Sequence, residues 1–298
     1  MRSQHGRFAG RRWAGMTELT VTSPTLDDAQ ATERSRRVPG GLVLSWRQFE
    51  FWLVLFRRTW RGTVLTAVFG PVMYLTAMGV GLGTLVDQNR SLPGGVSYLS
   101  FIAPGVLAAT AMQNGVFEGS FIVLGSLKWH GNYWAAVNTP QRPQDVMLGT
   151  AMQGLMRILA MSVVFFGSMA GFGTVHSAWG LLALPAALLT GAVFLFGMMA
   201  YSVTIDTDQP LNVVFRFVMT PLFLFSGTFF PWRQLPAWMH PVAFATPLWH
   251  GVELCRELTL GTPDAGSVLI HLGYLLAALA SAYWLARRNF RARLYLDR

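Results

Sequence analysis

Two acidic residues on a short polar stretch could hold a divalent cation. Asp206 and Asp208 are separated by one residue, and an Asp-x-Asp pair of this kind binds a metal ion in some sugar-nucleotide transferases. The same pair is also typical of a solvated break between helices, here ending at Pro210. We favour the helix break because no second acidic cluster accompanies the pair.

Two histidines further along the chain could bind zinc. His240 and His250 are followed by Glu253 and Glu257, and a closed zinc site needs about four ligands. Histidines at an interface, satisfied by backbone groups, are the simpler interpretation. We therefore expect no metal site and no catalytic residue in this chain.

The sequence lacks the motif of a nucleotide-binding site. The phosphate-binding loop has the pattern G-x-x-x-x-G-K-[ST], but the only lysine, Lys128, follows Leu127. No Gly-x-Ser-x-Gly nucleophile elbow is present either. Any ATP must be hydrolysed by another subunit, so the chain itself should carry no cofactor.

The elements that carry these residues are membrane helices. Of 298 residues, 52% are hydrophobic and 12% are charged, whereas soluble domains carry about 25% charged residues. A span needs about 20 apolar residues. The apolar runs predict an all-α integral membrane protein with six spans, at about 62–82, 99–124, 147–172, 180–204, 211–230 and 266–286.

Two segments outside these spans have their own character. Residues 1–40 are polar and predict a disordered cytoplasmic tail, in which either Met1 or Met16 could be the start. Residues 41–61 mix arginines with apolar residues at helical spacing, which predicts an interfacial helix before the first span.

The distribution of basic residues predicts the orientation. Eighteen of the 23 Lys and Arg residues would lie on the side of the two termini and three on the other side. The positive-inside rule then makes both termini cytoplasmic, in a multi-pass protein of the inner or plasma membrane. The net charge of +9 fits an anionic lipid surface better than nucleic acid.

Two charged residues lie inside predicted spans. Glu118 is in the second span and Arg157 in the third. Charges at such positions usually face the protein interior and pair, or else snorkel to the interface. We expect Glu118 and Arg157 to form a pair that holds the two spans together.

The stretch between Pro231 and Pro263 is too polar for a span and too apolar for a solvated loop. Two short helices that dip into the outer leaflet would explain it, since irregular backbone at that depth must be buried in protein or line a cavity. We therefore expect an extracellular re-entrant segment before the last span, with Cys255, the only cysteine, on the outer side.

This stretch resembles the signature of type-2 permeases of ATP-binding-cassette exporters. The shared features are a small-Gly pair, Phe-Phe-Pro, Leu-Pro, Pro-Leu, His and Arg. Its candidate site residues are Gly227, Phe230, Pro231, Pro236, Pro247, His250, Glu253 and Arg256. A second block resembles the branch that exports nodulation lipo-oligosaccharides and its drug-efflux relatives: Ala103-Pro104-Gly105, Ala111-Met112, Phe117-Glu118 and Asn138-Thr139-Pro140.

The resemblance covers residues 41–298 and implies a type-2 transmembrane domain. It implies two permease chains, identical or different, with the transport path between them and a separate ATPase dimer that binds ATP and Mg²⁺. The loop 125–146 would dock on that ATPase, with these contacts: Leu127, Lys128, Trp129, Tyr133 and Trp134.

The expected function is export of an amphiphilic lipid-linked or lipo-oligosaccharide substrate. Hydrophobic drug or antibiotic efflux is the alternative within the class. Outside it, a membrane-embedded glycosyltransferase using Asp206 and Asp208, or an ion-coupled transporter using Glu118, are the other hypotheses.

Overall fold

The computed structural model describes residues 69–85, 96–139, 141–234 and 236–296, together with Trp46 and Glu50. The regular structure of these residues is entirely helical. The predicted tail 1–40, most of the predicted interfacial helix 41–61 and the start of the predicted span 62–82 lie outside the described residues.

Up to residue 202, the described part of the chain contains five helices. Helix α1 covers 69–85, with a π-helical stretch at Ala77–Gly83. Helix α2 begins as Tyr98–Phe117 and continues through π-helical turns at Glu118–Ile122 and Gly125–Trp129. The others are α3 (Asn132–Val137), α4 (Pro143–Gly171) and α5 (Ala183–Ser202), the last preceded by the 3₁₀ turn Ala178–Leu182.

After residue 202, the described part of the chain contains four more helices. Helix α6 covers 209–225 with a π-helical middle at Phe215–Met219. Two 3₁₀ turns follow, at Trp232–Gln234 and Ala237–Met239. The remaining helices are α7 (His240–Phe244), α8 (Pro247–Leu260) and α9 (Ala265–Leu296).

Local sequence sets the ends of α8. The hydroxyl of Thr246 accepts a hydrogen bond from the Trp249 N–H, and Pro247 occupies the first helical position, where its missing N–H costs nothing. The helix ends at Gly261, whose φ of 78° suits a residue without Cβ. The predicted re-entrant segment is therefore built from turns, the short α7 and the well-capped α8.

Helix α5 is the centre of the packing and contacts α2, α4, α8 and α9. In its most apolar stretch 61% of the residues are buried inside the chain, against 11% for α9. A helix that is hydrophobic all round is a buried one. The apolar surface of α9 is instead left to face outward.

Glycines allow α2 and α5 to cross very closely. A Cβ added at Gly115 would lie 2.2 Å from the Gly191 carbonyl oxygen, and one added at Gly119 would lie 2.4 Å from that of Leu195. Small residues four apart let membrane helices approach in this way. The spacing of Gly115 and Gly119 thus permits the close crossing of α2 and α5.

Among the described residues three helices are long and apolar enough to cross a membrane, namely Pro143–Gly171, Ala178–Ser202 and Ala265–Tyr295. They coincide with the predicted third, fourth and sixth spans. Helix α6 is apolar but shorter, at Gln209–Phe225. It ends five residues before the predicted limit of 230 because the chain turns at Gly227, where φ is 78°.

Candidate functional site

The two charged residues predicted to pair are brought together in the structure. Arg157 Nη1 on α4 lies 2.8 Å from Glu118 Oε1 on α2. The Glu118 side chain is only 4% exposed, while that of Arg157 is 29% exposed. The carboxylate is therefore held inside the packing, and the guanidinium reaches it from the edge.

A third side chain completes this site. The amide of Gln153, one turn before Arg157 on α4, donates a hydrogen bond of 3.0 Å to Glu118 Oε2. Both carboxylate oxygens thus have a donor. Sequence reasoning missed Gln153, although its four-residue spacing from Arg157 on one helical face was a usable signal.

An apolar groove lies on the opposite side of α2, between α2 and α6. A cavity of about 290 Å³ is walled mainly by Met, Val and Phe side chains of these two helices. Gln113 of α2 and Thr220 of α6 are the polar side chains in its wall. This groove has the apolar walls and sparse polar groups typical of small-molecule sites.

A second cavity of about 290 Å³ extends the groove towards α1, because both cavities are lined by Gln113 and Phe223. Tyr74 of α1 lines this second cavity, and its hydroxyl is buried with no hydrogen-bond partner among the described residues. A buried polar group without a partner is costly. Gln153 Oε1, beside Glu118, is likewise buried without a partner among the described residues.

The predicted re-entrant signature is organised around Arg256. Its guanidinium donates to the carbonyl of Gly227 at 2.8 Å and to Glu253 Oε1 at 2.5 Å. It also donates to the carbonyl of Phe101 at 3.3 Å and lies 3.9 Å from the centre of that ring. Arg256 thus ties α8 to the turn after α6 and to the start of α2.

The other signature residues are more peripheral. Phe230 and Pro231 are half-buried, and Pro236 is exposed. The carbonyls of Pro231 and Pro236 accept the backbone hydrogen bonds of the two 3₁₀ turns. Their part is local turn formation, whereas Gly227, Glu253 and Arg256 form one network.

His250 belongs to a neighbouring buried cluster. Its Nε2 donates to the Phe244 carbonyl at 3.0 Å, so Nδ1 of the neutral ring must accept the hydrogen bond of 2.8 Å from His271 Nδ1. Tyr274 stacks on His250 with the ring centres 3.9 Å apart. Glu257 Oε1 lies 4.0 Å from His271 Nε2.

This arrangement does not resemble a zinc site. His250 already uses both ring nitrogens, and His240 contacts Phe244 instead of joining the cluster. No group of three or more His, Cys, Asp or Glu side chains that could hold a metal ion occurs in the described parts of the chain. His271, which sequence reasoning missed, is the partner of His250.

The predicted docking residues divide into a buried and an exposed group. Leu127 is buried, and Tyr133 is fully buried against the ring of Phe290, with its hydroxyl 3.1 Å from Thr150 Oγ1. These two side chains are taken up inside this chain and are removed from the proposed contact surface. Trp129 is 63% exposed, and Trp134 is half-buried.

Lys128 and the Asp-x-Asp pair meet at the same end of the molecule. Lys128 Nζ lies 2.5 Å from Asp206 Oδ1, and Arg293 of α9 pairs with the same oxygen. The hydrogen bond from Lys128 and the charge of Arg293 hold the pKa of Asp206 below its ordinary value. Two cations of this chain thus occupy the carboxylate that the transferase hypothesis assigns to a metal.

The described residues form a helical membrane protein with a lateral apolar groove and a separate ion pair whose carboxylate is buried. The sequence profile of the ABC-2 type transporter family matches residues 42–260. The chain belongs to the ABC-2 type transporter family, whose members are transport subunits and not catalytic ones.

Relatives match over most of this length. Nodulation protein J of Rhizobium leguminosarum bv. trifolii is 32% identical over 258 residues, which cover 82% of this chain and 94% of that protein. Nodulation protein J of Rhizobium meliloti (strain 1021) is 28% identical with the same coverage. The inner membrane transport permease YadH of Escherichia coli (strain K12) is 24% identical over 76% of this chain and 87% of its own.

Proposed function

We propose that this chain is the permease subunit of an ATP-driven exporter that moves an amphiphilic, lipid-linked or lipo-oligosaccharide substrate outward. The similarity to nodulation protein J supports this branch of the family. The observation that carries the proposal is the groove between α1, α2 and α6, which combines apolar walls with unused polar groups.

The groove suits an amphiphile for two reasons. Its walls of Met, Val and Phe side chains are chemically suited to contact with an acyl chain. Tyr74 and Gln113 provide a hydroxyl and an amide that a sugar or amide headgroup would bind. Substrate enters from the side, along α1 and α6, without breaking the packed core around α5.

A second permease chain would close the groove from the other side. Helix α6 exposes large apolar side chains, with Phe217 74% and Val213 56% exposed. Exposed apolar side chains on a membrane helix contact either lipid or another helix, and the resemblance to paired permeases supports a second chain at this surface. The proposed assembly is a pair of permease chains, identical or different, with the transport path between them.

Energy comes from an ATPase dimer on the cytoplasmic side, which holds the ATP and Mg²⁺. The proposed docking surface is the segment 125–146 with Trp129 at its tip, because a large exposed aromatic is the usual anchor of an interface. The same scheme has both termini in the cytoplasm, the protein in the inner membrane, and six spans, the fifth of which ends at Phe225. Residues 231–263 then form the outer re-entrant segment, preceded in the chain by an interfacial helix at 41–61 and a tail at 1–40.

Reconstitution of the chain with its co-purifying ATPase in proteoliposomes tests the proposal. We expect ATP-dependent movement of a labelled lipo-oligosaccharide and no ATP hydrolysis by the isolated chain. Transport driven by a proton gradient without the ATPase, or sugar transfer from a nucleotide sugar, would contradict it. Movement of a hydrophobic drug alone would favour the efflux alternative.

The docking surface has a matched test. Trp129→Ala should reduce ATPase co-purification severalfold, whereas Trp238→Ala should not, although Trp238 is 74% exposed. Both substitutions remove one exposed indole. A difference in ATPase retention between the two variants would therefore come from where the indole lies on the chain. Equal retention of the ATPase by both variants would move the docking surface elsewhere.

A further inference from the structure

Four arginines are gathered where the last helix passes the start of α4. Arg287 and Arg291 of α9 line a cavity of about 320 Å³ together with Arg142, Pro143, Gln144 and Tyr295. Arg287 and Arg291 also line an adjoining surface cavity of about 680 Å³, together with Arg288 and Trp284. All four side chains are exposed, and no carboxylate lines either cavity in the described residues.

These arginines differ from the other basic residues of this region. Arg293, on the same helix, points towards the protein and pairs with Asp206. Arg142, Arg287, Arg288 and Arg291 have no ion pair among the described residues, and Arg288 lies over the Trp284 ring at 5.6 Å. Concentrated positive charge without internal counter-charge attracts an anion.

The position of the cluster on α9 identifies the class of anion. Residues 284, 287, 291 and 295 recur at three- and four-residue spacing, which places them on one helical face. The same face, followed back along the helix, exposes Leu276 and Leu269, which are 50% and 68% exposed. The exposed apolar face of α9 thus ends at the basic pocket, next to Trp284.

We propose that this pocket binds the phosphate headgroup of an anionic phospholipid, whose acyl chains lie along the apolar face of α9. Arginine forks suit phosphate oxygens, and basic pockets at helix ends on the cytoplasmic side bind such headgroups. The site is separate from the transport groove. It would hold the ends of α9 and α4 together through one lipid, beside the proposed ATPase-docking segment 125–146, to which Arg142 belongs.

Lipid titration of the purified full chain in detergent tests the site. Phosphatidylglycerol should raise the unfolding temperature, and phosphatidylcholine should not. Arg287→Gln/Arg291→Gln should bind phosphatidylglycerol on the order of 30-fold more weakly, at about fivefold for each arginine near a surface. Arg287→Lys/Arg291→Lys should bind better than the Gln variant because it keeps the charge.

Three controls make the test decisive. Arg233→Gln removes a charge from the segment before α9 and should leave lipid binding unchanged. Native mass spectrometry should show retained phosphatidylglycerol on the parent chain and loss of it from the Gln variant, which also covers a variant that unfolds too easily for melting. Inorganic phosphate without lipid should not reproduce the stabilisation.

The outcomes that overturn the proposal are distinct. Equal stabilisation by phosphatidylcholine, or equal binding by the parent and Gln variants, would remove the headgroup site. Full stabilisation by inorganic phosphate would make it a site for the free anion. Loss of ATPase co-purification in the Gln variant, without any change in lipid binding, would show instead that the pocket binds the partner protein.

Discussion

The two sides of α2 differ in how closely they are packed. On the side facing α4 and α5, both oxygens of Glu118 have donors, and Gly115 and Gly119 press the helix against α5. On the side facing α1 and α6, the hydroxyl of Tyr74 is unpartnered within the described chain, and Gln113 lines a cavity. One face is closely packed, whereas the other borders the groove that we propose as the substrate site.

The close crossing of α2 and α5 should not tolerate an added methyl group. Gly115→Ala should lower the free energy of unfolding by roughly 1–3 kcal/mol or more, since its Cβ would meet a backbone carbonyl that cannot easily yield. Gly197→Ala on α5 is the control, because a Cβ there meets nothing within 4 Å. Denaturant melts in detergent measure both; similar losses would contradict the crossing.

Removing the two partners of the ion pair one at a time should lower the free energy of unfolding by different amounts. Arg157→Gln leaves a carboxylate that is 4% exposed without its cation, and should cost roughly 3–5 kcal/mol. Glu118→Gln leaves a guanidinium that is 29% exposed and can reach water, so it should cost less. The double variant should recover part of the loss in a double-mutant cycle; simple additivity would mean that the pair does not interact.

A substitution in the groove should lower transport without lowering the free energy of unfolding. Tyr74→Phe removes a buried hydroxyl without a partner among the described residues, so the free energy of unfolding should change by less than about 0.5 kcal/mol or rise. Transport of the lipo-oligosaccharide should fall severalfold. Tyr201→Phe on α5 is the matched control and should transport normally; equal transport by both variants would remove Tyr74 from the path.

The smallest effect is expected at Asp206, whose side chain is 63% exposed. Because Lys128 and Arg293 lower its pKa, its contribution is present above the ordinary value of about 4. That contribution is lost as the pH falls through the lowered value of the folded protein. Asp206→Asn should lower the melting temperature slightly at neutral pH, more than Asp208→Asn, and the difference should vanish in acid.

The apolar runs predicted helix positions well because hydrophobicity is a local property. Helices α4 and α5 lie where the third and fourth spans were predicted. The contact between Glu118 and Arg157 also followed from sequence, since two charges buried in apolar runs need partners. These inferences required no knowledge of which faces meet.

What the sequence did not reveal depends on long-range packing. Tyr133 looked like a docking aromatic, but its ring is buried against Phe290, 157 residues later in the chain. His250 was expected to be satisfied by backbone groups, and no sequence signal indicated that one of its ring nitrogens would meet His271 on another helix. Nothing in local composition distinguishes an aromatic or a histidine that faces a partner from one that faces a distant part of its own chain.

Site-specific photo-crosslinking tests the central claim, that the open face of α2 contacts substrate. Benzoylphenylalanine at Gln113 in the groove is compared with the same residue at Val163 on α4, which is 48% exposed. The chain is reconstituted with its ATPase and illuminated with labelled lipo-oligosaccharide. We predict a crosslink at 113 that unlabelled substrate competes away and ATP diminishes, and none above background at 163. Equal, non-competable labelling at both positions would contradict the groove as the transport path.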